Sequence, residues 1–268
     1  MIRYLIAITL LILSSAAHAL PRPDHVVVVI EENHGYEQIM KNRHSYMHAL
    51  AKRGVLFTES YGVTHPSQPN YLALFSGATH GITDDNCPIN LVGDNLASVL
   101  TGKHLSFATY SEDLPATDDK ECISGAYQRK HNPAANWSDL PAGTNLPTSL
   151  FPTDFSKLPT VSFVIPNMNN DMHDGSFTAA DEWLKAHLEP YVNWAYQHNS
   201  LLILTWDEDD LKGDNHIVTI LAGPMIQSGT STQRIDHYNV LRTLLDVYDL
   251  PSLGASLNAA PITGIWKQ

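Results

Sequence analysis

Val26–Ile30 is an unbroken run of β-branched residues that stops at once in Glu31, Glu32, Asn33 and His34. The pattern returns at Val161–Ile165, Leu201–Thr205 and Ile217–Leu221, and in shorter form at Val55–Phe57. Runs this short, without polar alternation, suit strands covered on both faces, as in a parallel sheet packed between helices. Helical spacing fills the intervals at Tyr36–Lys52, Pro69–Ser76, Thr178–Gln197 and Tyr238–Tyr248. Strand and helix in alternation predict an α/β fold with a mostly parallel central sheet.

Met1–Ala19 stands apart from this pattern. It joins a basic residue (Arg3), an apolar stretch (Tyr4–Leu13) and small residues, Ala17 and Ala19, around His18. That is the composition of an export signal with a cleavage site, and its apolar part is too short to span a bilayer. The competing reading, a membrane anchor, would need a stop-transfer pattern after it. The expectation is a periplasmic or secreted protein whose residues 20–268 form a single catalytic domain. No later apolar run is long enough for a membrane helix, so no membrane anchor is expected in the mature chain.

A long middle stretch, about 83–155, is rich in Asn, Asp, Pro and Gly and reads as a loop-rich insertion. It holds Cys87 and Cys122, the only two cysteines of the chain. In an oxidising compartment they are expected to pair, and their spacing matches no zinc pattern. The formal charge of −12 speaks against nucleic acid or anionic membranes as partners, since phosphate backbones need clustered cations. A single phosphate group held by a metal is not excluded, because the ion supplies its own charge.

Ligands of open α/β sheets bind beyond the carboxyl ends of the strands. Four such ends carry Glu31–His34; the Thr64, His65, Ser67 loop; Asn167–Asp174; and Asp207–Asp210. Taken alone, EENH is an acidic helix entrance and WDEDD a solvated turn. Brought to one edge, they form a set of oxygen donors suited to a divalent cation of unspecified identity. A hydroxyl beside such an ion can become a nucleophile, and THPSQPNY offers Thr64 and Ser67. Pro69 suits the first turn of the following helix, which puts Ser67 at an entrance where free N–H groups attract anions. Ser67 is better placed than Thr64 to meet a phosphate.

IEENH (30–34), SQPNYLALFSGATHGI (67–82), KHNP (130–133), PNMNNDMHD (166–174), TWDEDD (205–210) and HYNVLRTLLDVYDL (237–250) stand in one order. In that order they resemble the bacterial and fungal phosphoesterase family, which includes secreted acid phosphatases and phospholipases C. The likeness spans about His25–Leu250. It is nearest the acid phosphatase branch, because phospholipase C members carry extra C-terminal β-domains not seen in this sequence. The resemblance implies an alkaline-phosphatase-like fold, a three-layer αβα sandwich.

Within that superfamily, nucleotide pyrophosphatases carry Thr-x-Pro-Asn, then Gly and His-Gly-Ile, in the register of Ser67, Asn70, Gly77 and His80–Ile82. This implies Ser67 as nucleophile and Asn70 as the side chain holding a phosphoryl oxygen. Sulfatases carry an arginine where this chain has Tyr71, so sulfate is disfavoured. The resemblance further implies a metal held by Glu32, Asn33, Ser67, Asp207 and Glu208. His131 and His173 would flank the phosphate, one or the other donating a proton to the leaving group, with Lys130 as a weaker substrate contact. Asp171, Asp174 and His216 would lie around these groups or help hold a second metal.

The expectation is therefore an exported, metal-dependent acid phosphatase, a phosphoric monoester hydrolase acting on small phosphorylated substrates through a phosphoserine. The alternatives are a phospholipase C-type phosphodiesterase and a phosphoinositide phosphatase, the latter taking a lipid phosphate. A serine hydrolase would want a G-x-S-x-G elbow, which is absent. A non-catalytic metal-binding protein would use the same carboxylates without Ser67 and the motif histidines.

Overall fold

β1 (His25–Glu31) is buried from Val26 onward, because it lies deep in a sheet with a parallel neighbour on each side. The computed structural model describes residues 20–267; the expected export signal lies outside them. After β1 come α1 (Tyr36–Met40), α2 (Tyr46–Arg53), β2 (Val55–Tyr61), α3 (Ser67–Ser76), α4 (Leu96–Gly102) and β3 (Phe107–Ser111). The hairpin of β4 (Ile123–Ser124) and β5 (Tyr127–Gln128) and the strand β6 (Asn145–Pro147) follow. Then come β7 (Val161–Ile165), α5 (Phe177–Ala195), β8 (Ser200–Trp206), β9 (His216–Ala222), β10 (Gly229–Ser231), β11 (Ile235–Asp236) and α6 (His237–Val247).

Among the described residues the main sheet has nine strands in the order β10-β2-β9-β8-β1-β7-β3-β6, with β11 also paired to β2. Val28 lies opposite Phe163 of β7 on one side and Ile203 of β8 on the other. Because successive strand residues face opposite sides, β1 feeds two cores. Val26, Val28 and Ile30 pack with Leu72 and Phe75 of α3 and Leu241 and Leu244 of α6. Val27 and Val29 pack with Met47 and Leu50 of α2 and Leu184, Leu188 and Tyr191 of α5. The result is the expected αβα sandwich.

Three features differ from the sequence expectation. β9 runs antiparallel to both β2 and β8; its apolar run records burial, not direction. The helix expected over Tyr36–Lys52 is two helices, because Ser45 starts the second one: its Oγ accepts the His48 N–H at 3.1 Å. The stretch 83–155 also contributes α4 and two strands of the main sheet, β3 and β6, with β3 between β7 and β6. The expected Cys87–Cys122 disulfide is formed, with the Cα atoms 5.8 Å apart. No helix among the described residues is long and apolar enough to cross a membrane.

Candidate active site

The alternation of β1 continues past its end. Glu31 points toward the α2–α5 layer, and Glu32 toward α3. There Ser67 opens α3, buried at 2% exposure, and its Oγ donates to Glu32 Oε2 at 3.0 Å. The same hydroxyl faces Glu208 Oε1 at 3.4 Å. β8 is paired to β1 through Trp206, opposite Glu31, and the Asp207 N–H donates to the Glu31 carbonyl at 2.9 Å. That pairing delivers Asp207 and Glu208 beside Glu32.

Asn33 meets this group through its backbone. Its N–H donates to Asp207 Oδ1 at 3.2 Å, from a left-handed conformation (φ 52°) that asparagine tolerates better than most residues. Thr64 Oγ1 is turned to its own loop and donates to the His65 carbonyl at 3.2 Å. Asn70 shapes that loop. Its Oδ1 accepts the Val63 and Thr64 N–H groups at 2.9 and 3.0 Å, while Nδ2 donates to the carbonyls of Thr64 and Pro66. Gly77 ends α3 at φ 75°, where a Cβ would lie 2.0 Å from the Leu253 carbonyl oxygen.

Lys130, His131 and His173 form the opposite wall. Lys130 Nζ donates to Asp85 Oδ2 at 2.9 Å and lies 3.4 Å from His173 Nε2. His173 Nδ1 pairs with Asp174 Oδ1 at 2.8 Å, and the His173 N–H donates to Asp171 Oδ1 at 2.8 Å. His131 is buried, with Nε2 3.2 Å from Glu32 Oε1 and Nδ1 3.3 Å from Asp171 Oδ2. Its ring stacks on Tyr71, whose hydroxyl donates to Glu32 Oε1. Burial, and then the charges of Lys130 and His173, hold the His131 pKa well below the usual imidazole range.

Burial drives the carboxylates the other way. It raises Asp207 to about 7. With Asp207 beside it, Glu208 is raised to about 9. Glu32 lies well above the ordinary range, through burial first and then Asp207 and Asp171. Burial also pushes Asp171 up to about 7. Three carboxylates crowded on one hydroxyl, with Asp207 Oδ2 buried and unpartnered, fit a divalent cation of the oxygen-preferring kind. A second donor group shares Glu32: one ligand atom each from Glu32, His131 and His173 lies within 4.8 Å of the others.

His216 is not brought to these groups. It stacks between the rings of Tyr36 and Tyr61, and its Nε2 bonds the Thr58 carbonyl at 3.0 Å, so it is committed away from the cluster. Three further residues join the groups assigned to the site from sequence. Asp85 accepts the Gln68 N–H at the head of α3 at 2.9 Å while it pairs with Lys130. Tyr71 anchors Glu32. His65 pairs through Nδ1 with Glu208 Oε2 at 2.7 Å. The Thr-His-Pro-Ser spacing is the only trace of His65 in the sequence.

Residues 40–251 match the phosphoesterase family. The chain belongs to that family. It is 47% identical over 255 residues to a phosphatidylinositol-3-phosphatase of Mycobacterium tuberculosis, covering 94% of this chain and 85% of the relative. It is 32% identical to an acid phosphatase of Aspergillus fumigatus, over 83% of this chain and 54% of the relative. A phosphate-repressible acid phosphatase of Penicillium chrysogenum is 34% identical over 76% of this chain and 54% of its own length. The chain thus spans about half the length of these fungal relatives.

Among solved structures, an alkaline phosphatase superfamily protein of Vibrio parahaemolyticus superposes with a TM-score of 0.59. It is 13% identical and covers 91% of this chain and 73% of its own. The phosphonate monoester hydrolase of Agrobacterium radiobacter gives 0.57 at 12% identity, over 92% and 79% of the two chains. At such identities the likeness is one of fold, and the expected alkaline-phosphatase-like sandwich holds. The expected enzyme class, a phosphoric monoester hydrolase, stands on the family and its phosphatase relatives.

Proposed function

We propose that the chain is an exported, metal-dependent acid phosphatase that cleaves phosphate monoesters through a phosphoserine at Ser67. The observation that carries this reading is the buried Ser67 hydroxyl donating to Glu32 inside a ring of carboxylates. A divalent cation held by Glu32, Asp207 and Glu208, with Asn33 and Ser67 beside it, would lower the hydroxyl's pKa and neutralise phosphoryl oxygens. Ser67 Oγ attacks phosphorus from the head of α3, and the hydroxyl proton leaves toward the Glu32 carboxylate that already accepts it. Lys130, held by Asp85, faces the phosphoryl group from the far side. His173, half-buried and paired with Asp174, would give the leaving oxygen a proton; deeply buried His131 instead lies against Glu32 and Asp171. Water then releases phosphate from Ser67. Export is supported by the Met1–Ala19 pattern and by a disulfide, which persists in oxidising compartments.

A second reading, a phosphoinositide as the monoester, is favoured by the mycobacterial relative, which matches over most of both chains. One set of assays tests both: p-nitrophenyl phosphate, bis-p-nitrophenyl phosphate and phosphatidylinositol 3-phosphate in vesicles, each with and without chelator. The expected result is chelator-sensitive phosphate release from monoesters, with the diester slow. Faster turnover of the diester, or activity indifferent to chelator and metal, would overturn the reading.

A further inference from the structure

We propose that His65 is a positioning residue that fixes Glu208 for a bound divalent cation; this rests on the reading that Glu208 is one of the cation's ligands. His65 Nδ1 lies 2.7 Å from Glu208 Oε2, closer than either other side-chain contact of that carboxylate: Asn70 Nδ2 and Ser67 Oγ, both at 3.4 Å. An ionised carboxylate only accepts, so the ring nitrogen facing it carries the hydrogen. With Oε2 held from behind, Oε1 is the oxygen turned toward Ser67. The other side of the ring faces Asp209, with Nε2 3.5 Å from its Oδ1. Asp209 is itself immobilised by the N–H groups of Leu211, Gly213 and Asn215.

The loop carrying His65 is locked in turn. Asn215 Nδ2 donates to the Thr64 carbonyl at 2.9 Å, and Asn70 bridges Val63, Thr64 and Pro66. His65 thus ties the nucleophile loop after β2 to the acidic end of β8 across 143 residues of sequence. Both ring nitrogens face carboxylates, so the ring acts on the ligand and not on the ion. Hydrogen-bond partners of this kind aim metal-ligating carboxylates.

The test separates the two ring nitrogens. The amide nitrogen of His65→Asn falls where Nδ1 was, whereas that of His65→Gln falls where Nε2 was. Wild type, H65A, H65N and H65Q would be stripped with chelator. Each is then titrated calorimetrically with the divalent cation that elemental analysis finds in the wild type, and its folding is checked by thermal unfolding. H65A and H65Q should bind the cation about 10–100-fold more weakly, with H65N within about threefold of wild type. Affinity of H65A equal to wild type, or folded H65N as weak as H65A, overturns the proposal. A wild type that binds no cation overturns the metal reading as well, which keeps the two failures distinct. Should H65A not fold, the H65N and H65Q pair decides.

Discussion

At the scale of single residues, a hydroxyl does chemistry only where a neighbour can take its proton. Ser67 has Glu32 at 3.0 Å, whereas Thr64 has only a carbonyl of its own loop. Ser67→Ala should therefore lower phosphomonoesterase turnover by roughly 10⁴-fold or more. Thr64→Val should stay near wild type, and the opposite ranking would move the nucleophile. Glu31, the neighbour of Glu32, tells a different story. It is fully buried with neither carboxylate oxygen partnered, and burial, then Asp171, raises its pKa well above the ordinary range. A raised carboxyl stabilises the fold below its unfolded pKa and loses that contribution as pH rises through the folded value. Glu31→Met, of similar volume, should thus gain about 1–3 kcal/mol at alkaline pH and less in acid. Denaturant titrations at two pH values check this; a gain that grew toward acid would refute it. The place of Ser67 at the head of α3 was legible because Pro69 marks a helix start locally. His65, Tyr71 and Asp85 act through Glu208, Glu32 and Lys130, which lie 143, 39 and 45 residues away, and no local pattern encodes such pairs.

At the scale of elements, the strands read from apolar runs were found within a few residues, because burial on both faces leaves a signature that any register preserves. What such a run omits is direction, so the antiparallel β9 was invisible. β3, FATYS, was hidden for the reverse reason: it is wholly buried yet mixes Thr, Tyr and Ser into a polar stretch. The disulfide was legible from compartment and count, but its place in the site was not. Cys87 follows Asp85 in the turn over α3, and Cys122 leads through the β4–β5 hairpin to Lys130. The bridge thereby holds together the two segments that carry Asp85 and Lys130. With the cysteines 35 positions apart in sequence, replacing both by serine should cost on the order of 3–4 kcal/mol. It should also raise KM, because Lys130 loses a fixed partner. Denaturant midpoints and steady-state kinetics would show both effects; a double variant of wild-type stability and KM would mean that the bridge merely decorates the loop.

Across the whole molecule, a formal charge of −12 weighs against phosphate backbones as partners but says nothing of where the acid sits. Folding brings Glu32, Asp207 and Glu208 together beneath α3, and the cluster's behaviour depends on whether a cation is present. Without one, burial holds Asp207 near 7 and Glu208 near 9, against roughly 4 for both when unfolded. The folded, cation-free protein therefore keeps protons that the unfolded chain releases, and its stability falls as pH rises from about 5 toward 9. A cation reverses the sign for these groups, because it binds their ionised forms and stabilises only the folded state. Glu31 is paired with nothing and should decline with pH in both forms, so the informative quantity is the difference between them. Melting curves at pH 5.5, 7 and 8.5, with chelator and with saturating divalent cation, should show a gap that widens with pH. A gap of constant size would place the cation away from these carboxylates, and no gap at all would leave Ser67 without the ion that the proposed chemistry requires.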